Sequence, residues 1–107
     1  MVNANFDITI DHAFNGNPAF IIKIANQFIE INIYISIDQV GELKKITTDS
    51  VAYIQAGESA NSPVHWKKGD DGEIYILIGE DCESWDIVLT ISIDLIADII
   101  TGINDLV

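Results

Sequence analysis

The sequence contains no arginine, a single cysteine, two histidines and two prolines. Without arginine the chain lacks the forked cation that most phosphate-binding and carboxylate-binding active sites use. The lone Cys82 excludes an internal disulfide, and its position between Asp81 and Glu83 disfavours the thiolate that a nucleophile needs. The N-terminus has neither the basic nor the apolar region of a secretory signal. We therefore expect an inert thiol in a chain that stays in the cytoplasm.

Metal ligands and catalytic motifs are also scarce. Neither His12 nor His65 has a second nitrogen or sulfur ligand at a spacing that zinc sites use, and His12 has the parity of a buried strand face. The run Asp70-Asp71-Gly72-Glu73 clusters carboxylates, but it lacks the alternating ligands and the distal glutamate of a calcium loop. No Gly-x-Ser-x-Gly run and no glycine-rich phosphate loop is present. The sequence therefore predicts no catalytic residue, no cofactor and no metal, and so no enzyme.

No apolar run is long enough to cross a membrane, because a spanning helix needs about 20 predominantly apolar residues. The most apolar window covers residues 19–37. Five polar or charged side chains interrupt it, namely Lys23, Asn26, Gln27, Glu30 and Asn32. We therefore expect no membrane among the partners of this chain.

Positive charge is scarce as well, and the excess of negative charge is large. Seventeen acidic residues against five lysines give a net charge of −12 at pH 7, whereas a small soluble domain typically carries about 2 to 8 charges of one sign. This field repels phosphate backbones, so we expect no direct binding of nucleic acid. Two interpretations stay open: a coat that keeps an apolar protein in solution, or an acidic face that binds a basic partner.

The 107 residues predict a single domain, residues 1–107, with one ordinary core. Isoleucine contributes 22 of them, and the clearest pattern in the chain is the run FIEINIYISID at residues 28–38. Apolar residues occupy every second position of this run, which indicates a strand with one buried face. The pattern predicts that five isoleucines are buried together: Ile29, Ile31, Ile33, Ile35 and Ile37.

Two further strands are predicted before this central one. Alternation from Phe6 to Phe14 indicates the first, and the Asn15-Gly16-Asn17-Pro18 run that follows is typical of a tight turn. Residues 19–25 return as the second strand, and Asn26-Gln27 gives a weaker turn signal before the central strand. The first three strands are therefore expected to form a meander.

The period changes after the central strand. Asp38 is a candidate cap for a short helix over residues 39–47, with Val40, Leu43 and Ile46 on one face. Residues 51–57 fit a strand or a second helical segment, and we favour the strand. Residues 58–63 form the most loop-like run in the chain.

The second half predicts a hairpin, another strand and a final helix. Residues 64–67 lead through a turn at 68–72 into an alternating strand at 73–79, and residues 79–85 connect to the next strand. Asp94 is a candidate cap for a C-terminal helix over residues 94–104. The predicted fold class is α+β: an antiparallel sheet of five to seven strands, built from a meander plus a hairpin. A short central helix accompanies it, and the C-terminal helix packs on one face.

Carboxylates and tryptophans concentrate between residues 66 and 86. The candidate partner-binding residues are Trp66, Asp70, Asp71, Glu73, Glu80, Asp81, Glu83, Trp85 and Asp86. Tryptophan is a favoured interface anchor, although both tryptophans could equally fill the core and both connections could simply be charged loops. The carboxylates form one patch only if both connections lie at the same end of the sheet.

The layout of the whole chain resembles the immunity proteins of bacterial polymorphic-toxin and contact-dependent growth-inhibition systems. The likeness lies in a small, acidic, cysteine-poor chain with a meander, a short helix, a hairpin ending in GEIYILIGEDCESWDIVLTISI and a final apolar helix. The resemblance implies a protein that binds and neutralises a cognate toxin domain, commonly a nuclease, inside the cell, and we expect that domain to be basic. The sequence does not indicate the oligomeric state, and a monomer is the default expectation. Alternatives are an acidic DNA-mimic inhibitor of the anti-restriction or anti-CRISPR kind, and a non-inhibitory structural or adaptor module.

Overall fold

The computed structural model describes residues 5–11, 19–48, 51–70, 72–81 and 83–106. Within them the chain forms one seven-stranded antiparallel sheet in the order β1 to β7. The elements are β1 Asn5–Asp11, β2 Ala19–Ala25, β3 Glu30–Ser36, α1 Ile37–Thr47, β4 Tyr53–Ser59, β5 Ser62–Lys68, β6 Glu73–Gly79, β7 Trp85–Ser92 and α2 Ile93–Leu106. The predicted α+β fold class is confirmed. Neither described helix is long and apolar enough to span a membrane.

Both helices pack on the same face of the sheet and against each other. Helix α1 buries Val40, Leu43 and Ile46. Helix α2 contacts β1 and β7, the two outermost strands, so the sheet must curve around the helices to bring both within reach. The predicted packing of the C-terminal helix on one face is confirmed. Its buried residues are Ile96, Ile99, Ile100 and Ile103.

The five predicted core isoleucines do not all lie in the core. Ile31, Ile33 and Ile35 of β3 are buried, and Ile29 just before the strand is half-buried. The prediction is wrong for Ile37, which is 38% exposed because β3 ends at Ser36 and Ile37 begins α1. Once the chain turns into a helix, the two-residue period no longer decides which face a side chain takes.

A repeated Ile-Ser-Ile-Asp sequence starts both helices. The serines, Ser36 and Ser92, lie 56 residues apart, each as the last residue of a strand. Ser36 accepts a hydrogen bond from the Gln39 backbone nitrogen at 3.3 Å, and the Gln39 side chain accepts one from the Ser36 nitrogen at 3.0 Å. This reciprocal capping box, and a bond of 3.1 Å from the Asp94 nitrogen to the Ser92 hydroxyl, satisfy backbone donors at the helix starts. The predicted caps Asp38 and Asp94 are therefore wrong, since both lie inside the first helical turn.

The predicted loop over residues 58–63 is also wrong. β4 continues to Ser59 and β5 begins at Ser62, so only Ala60 and Asn61 form the turn. Their φ angles are +50° and +64°, as a two-residue type I′ hairpin requires. The strand that we favoured over residues 51–57 is confirmed for residues 53–57, which belong to β4.

The remaining strand predictions have two outcomes. The turn at Asn26 is confirmed, because its side-chain oxygen accepts hydrogen bonds from the backbone nitrogens of Phe28 at 2.7 Å and Ile29 at 2.9 Å. The hairpin in the second half is confirmed as β5 and β6, followed by β7. The predicted turn at residues 15–18, together with His12, lies outside the described residues.

Candidate partner-binding surface

The meander places the two acidic connections at opposite ends of the sheet. Successive antiparallel strands reverse direction, so the connection 69–72 after β5 and the connection 80–84 after β6 are separated by the length of β6. Seven residues of strand rise roughly 20 Å, more than twice the screening distance of about 8 Å in physiological salt. The condition under which the carboxylates of both connections would form one patch is therefore not met.

The two ends of the sheet can be named by what they carry. The hairpin end carries the connections 26–29, 60–61 and 80–84, and the helix end carries the connection 69–72 and the first residues of both helices. Glu80, Asp81, Glu83, Trp85 and Asp86 belong to the hairpin end. Asp70 and Glu73 belong to the helix end, and Asp71 lies outside the described residues.

At the helix end the backbone of the acidic connection is hydrogen-bonded, and one of its carboxylates, that of Glu73, contacts a tyrosine. The Gly69 nitrogen donates to the Glu73 carbonyl at 2.9 Å, and the Glu73 nitrogen donates to the Asp70 carbonyl at 3.1 Å. The Tyr75 hydroxyl donates to the Glu73 carboxylate at 3.4 Å, and the charge of Glu73 raises the pKa of Tyr75 above its ordinary value. Lys68 precedes this connection directly. This end therefore carries mixed charge, with an exposed Asp70 and a partly buried Glu73.

At the hairpin end the connection between β6 and β7 is held by its own backbone and by one carboxylate. Asp81 accepts hydrogen bonds from the backbone nitrogens of Glu83 at 2.8 Å and Ser84 at 2.7 Å, and the Glu80 nitrogen donates to the Ser84 carbonyl at 2.9 Å. Asp81 thus stabilises the turn. The side chains of Glu80 and Glu83 are exposed and make no hydrogen bond or ion pair to any described residue.

Trp85 stands beside these carboxylates and is 44% exposed. The register of β6 and β7 shifts between Ile78 and Gly79, so Trp85 lies opposite Gly79 and Asp86 is the extra residue in the strand. A side chain at Gly79 would collide with the Trp85 backbone, so glycine is what permits this close approach. We call Glu80, Asp81, Glu83, Trp85 and Asp86 the acidic end patch.

Trp66, the other candidate anchor, is a core residue. It is completely buried, and its indole nitrogen donates to the Ala56 carbonyl at 2.9 Å. Its position in β5 directs the side chain to the face that the helices cover, beside Ile54 and Ile76 of the neighbouring strands. The interpretation of Trp66 as a surface anchor is therefore wrong, because a fully buried indole offers no surface to a partner.

Sequence reasoning missed the role of His65 in positioning the acidic end patch. His65 is 2% exposed. It precedes Trp66 in β5 and pairs with Gln55 and Leu77, so its side chain lies on the face of the sheet opposite the helices. Its Nδ1 lies 2.5 Å from the Tyr53 hydroxyl and its Nε2 lies 3.3 Å from the Gly79 carbonyl. Because a carbonyl only accepts, Nε2 donates to the Gly79 carbonyl, and in this tautomer of the neutral ring Nδ1 accepts from the Tyr53 hydroxyl. His65 thereby holds Gly79, the residue that starts the acidic connection.

The acidic end patch has no cation nearby in β6, in β7 or between them, since residues 73–92 contain no lysine. By contrast, Glu30 on the other side of the sheet is paired with Lys23 at 3.2 Å, and Asp7 is the cross-strand neighbour of the same lysine. The patch therefore combines four exposed carboxylates with an exposed tryptophan, and no ion pair to a described residue neutralises them. In the described part of the chain, no three histidine, cysteine, aspartate or glutamate side chains group closely enough to hold a metal ion.

Comparisons with protein-family models, with curated proteins and with solved structures found no match to this chain. No binding or catalytic role therefore comes to this chain from a relative.

Proposed function

We propose that this protein is a stoichiometric inhibitor that captures a basic toxin domain in the cytoplasm through the acidic end patch. It acts by binding alone, without catalysis, cofactor or metal, as the immunity proteins that the layout resembles would. The observation that carries the proposal is the occurrence of four exposed carboxylates within five residues of the half-exposed Trp85, at the same end of the sheet. The four are Glu80, Asp81, Glu83 and Asp86.

Electrostatics supports a basic partner and a fast encounter. A nuclease has to attract phosphate, so its active-site cleft is positively charged, and a patch without cations is complementary to it. Such complementarity raises association rates towards about 10⁸–10⁹ M⁻¹s⁻¹ at low salt, against roughly 10⁵–10⁶ M⁻¹s⁻¹ without it. Rapid capture is what an inhibitor of a lethal enzyme needs.

Trp85 supplies the part of the affinity that charge does not. Its exposed fraction of 44% corresponds to roughly 100 Å² of surface, which is worth about 2–3 kcal/mol when a partner covers it. Tryptophan is enriched among the residues that dominate interface energies, and charged residues are found around the rim. The patch has this arrangement, with Trp85 between Ser84 and Asp86 and the other carboxylates in the adjoining connection.

The test uses the protein encoded beside this gene as the candidate partner, in a growth-rescue assay and in a binding assay. The informative variant is Glu80→Lys with Glu83→Lys, because both side chains are exposed and neither holds the turn. Asp81 is left in place because it accepts two backbone hydrogen bonds. The matched control is Asp98→Lys with Asp105→Lys, two exposed residues of α2 that give the same change in net charge.

We expect the patch variant to weaken binding by on the order of 30-fold or more, with a slower association rate and loss of rescue. The control variant should retain nearly full affinity. Trp85→Ala should instead speed dissociation. Equal effects of the two charge-reversal pairs would mean that only the total charge matters, as the solubility-coat interpretation requires, and a neighbouring gene product that is neither basic nor toxic would refute the inhibitor role.

A further inference from the structure

β7 is an outer strand of the sheet, and no described strand pairs with its free side. In the described residues only β6 and α2 pack substantially against β7, and β6 pairs with just one of its two sides. The other side of this eight-residue strand therefore presents unpaired backbone donors and acceptors. An exposed outer strand of this kind readily accepts one more strand.

The usual protection of an outer strand is confined to the beginning of β7. The charged Asp86 is the second residue of β7, and the register shift lies at Gly79, opposite the first residue. Residues 87–92, IVLTIS, contain no charge, proline or glycine, and Val88 is 41% exposed. The open side of β7 is therefore well suited to backbone pairing over residues 87–92.

We propose that the partner adds an extended segment to β7 as an eighth, antiparallel strand whose C-terminal part is basic. This inference rests on the proposed function and names how the partner binds. The direction of charge follows from topology: β7 begins at the acidic end patch, so the last residues of an antiparallel added strand lie beside Asp86 and the connection 80–84. Lysines or arginines there would meet Glu80, Glu83 and Asp86, while the earlier residues pair with 87–92.

A second copy of this chain fits the same strand less well. Joining two β7 strands would bring together two chains of net charge −12, which repel each other. The added strand would also carry no lysine, because residues 85–92 contain none. Charge complementarity therefore selects a basic segment of another protein over self-association.

The probe is a synthetic ten-residue peptide, capped at both ends, with alternating valine and threonine followed by a lysine-rich C-terminal part. Two control peptides have the same composition: one has the lysines at its N-terminal end, and the other carries backbone N-methyl groups on its central residues. N-methylation removes the donors that strand pairing needs and leaves charge and side chains unchanged. Binding is measured by calorimetry at low salt, and the site is located by amide hydrogen exchange of the full chain.

We expect the first peptide to bind and to slow exchange at alternate residues of 87–92, and both controls to bind at least about tenfold more weakly. Equal binding of the N-methylated peptide would overturn strand addition, and stronger binding of the reversed peptide would overturn the antiparallel orientation. Strand addition to β7 would also be overturned if the peptide slowed amide exchange in β1 instead, or if exchange in β7 slowed with protein concentration alone. The proposed function stands and this inference fails if Glu80→Lys with Glu83→Lys weakens binding of the toxin domain but the peptide does not slow amide exchange in β7.

Discussion

Replacing Gly57 with alanine should destabilise the protein strongly, because both the backbone and the neighbours of Gly57 exclude a side chain. Gly57 lies at the irregular part of β4, is buried, and has a φ angle of +84°. A methyl group there would lie 2.8 Å from the Ile33 Cγ2 atom and 2.9 Å from the Tyr34 carbonyl oxygen. Ile33 is fully buried and cannot withdraw, and the carbonyl belongs to the backbone of β3.

The expected magnitude is the sum of two terms. A residue with a β-carbon in the left-handed region costs about 1–2 kcal/mol, and forcing an extra methyl group into a packed core costs about 1–3 kcal/mol. The total of roughly 2–5 kcal/mol is a large part of the 5–15 kcal/mol by which domains of this size are typically stable. In a urea titration it should lower the unfolding midpoint by on the order of 1–2 M.

Gly41→Ala is the matched control, since it makes the same chemical change at a site with opposite surroundings. Gly41 lies in the interior of α1, is exposed, and a methyl group there would contact nothing within 4 Å. Alanine should therefore stabilise the helix by about 0.5–1 kcal/mol. Urea unfolding followed by circular dichroism gives both values. A loss of less than about 1 kcal/mol for Gly57→Ala would refute the packing of β3 against β4 described above.

Two further predictions concern the core and the helix end of the sheet. Ile33→Ala should cost about 2–5 kcal/mol in the free energy of unfolding, and Ile37→Ala less than about 1 kcal/mol, because only Ile33 is buried; equal losses in urea titrations would contradict this. Glu73 raises the pKa of Tyr75 above its ordinary value of 10.0, so the Tyr75 hydroxyl keeps its proton to a higher pH in the folded chain than in the unfolded chain. The urea midpoint of unfolding should therefore fall as pH rises past about 10, and Tyr75→Phe should reduce this fall. The same dependence of the midpoint on pH in the wild-type chain and in Tyr75→Phe would count against the role of Tyr75.

The sequence was sufficient to predict the local structure of most of this chain. Alternation in residues 29–35 and helical spacing in residues 96–103 identified β3 and α2, because each pattern records which face meets the core. The helix caps were each placed two residues too late, at Asp38 and Asp94 instead of Ser36 and Ser92, since aspartate and serine both cap helices and only the strand end shows which one does. The turn at Ala60 and Asn61 was missed because it contains no glycine to indicate positive φ angles.

The candidate site depended on information that no local pattern carries. Trp66 and Trp85 are the same residue type in similar strand sequences, yet one is fully buried and the other is 44% exposed. Which face of the sheet the helices cover, and where the register shifts at Gly79, decides between them. His65 likewise becomes buried only because Tyr53 and the Gly79 carbonyl come from other strands to bind it.

What the sequence determined by itself is the amount and sign of the charge and the tendency of each segment to form a strand or a helix, because both depend on residues close in the chain. The tertiary structure alone decided how the acidic residues are grouped. Each antiparallel strand reverses the chain, so Asp70 and Glu80, ten residues apart, lie at opposite ends of β6. Contacts between distant residues fix that arrangement, and it places the carboxylates of residues 80–86 with an exposed tryptophan at the hairpin end.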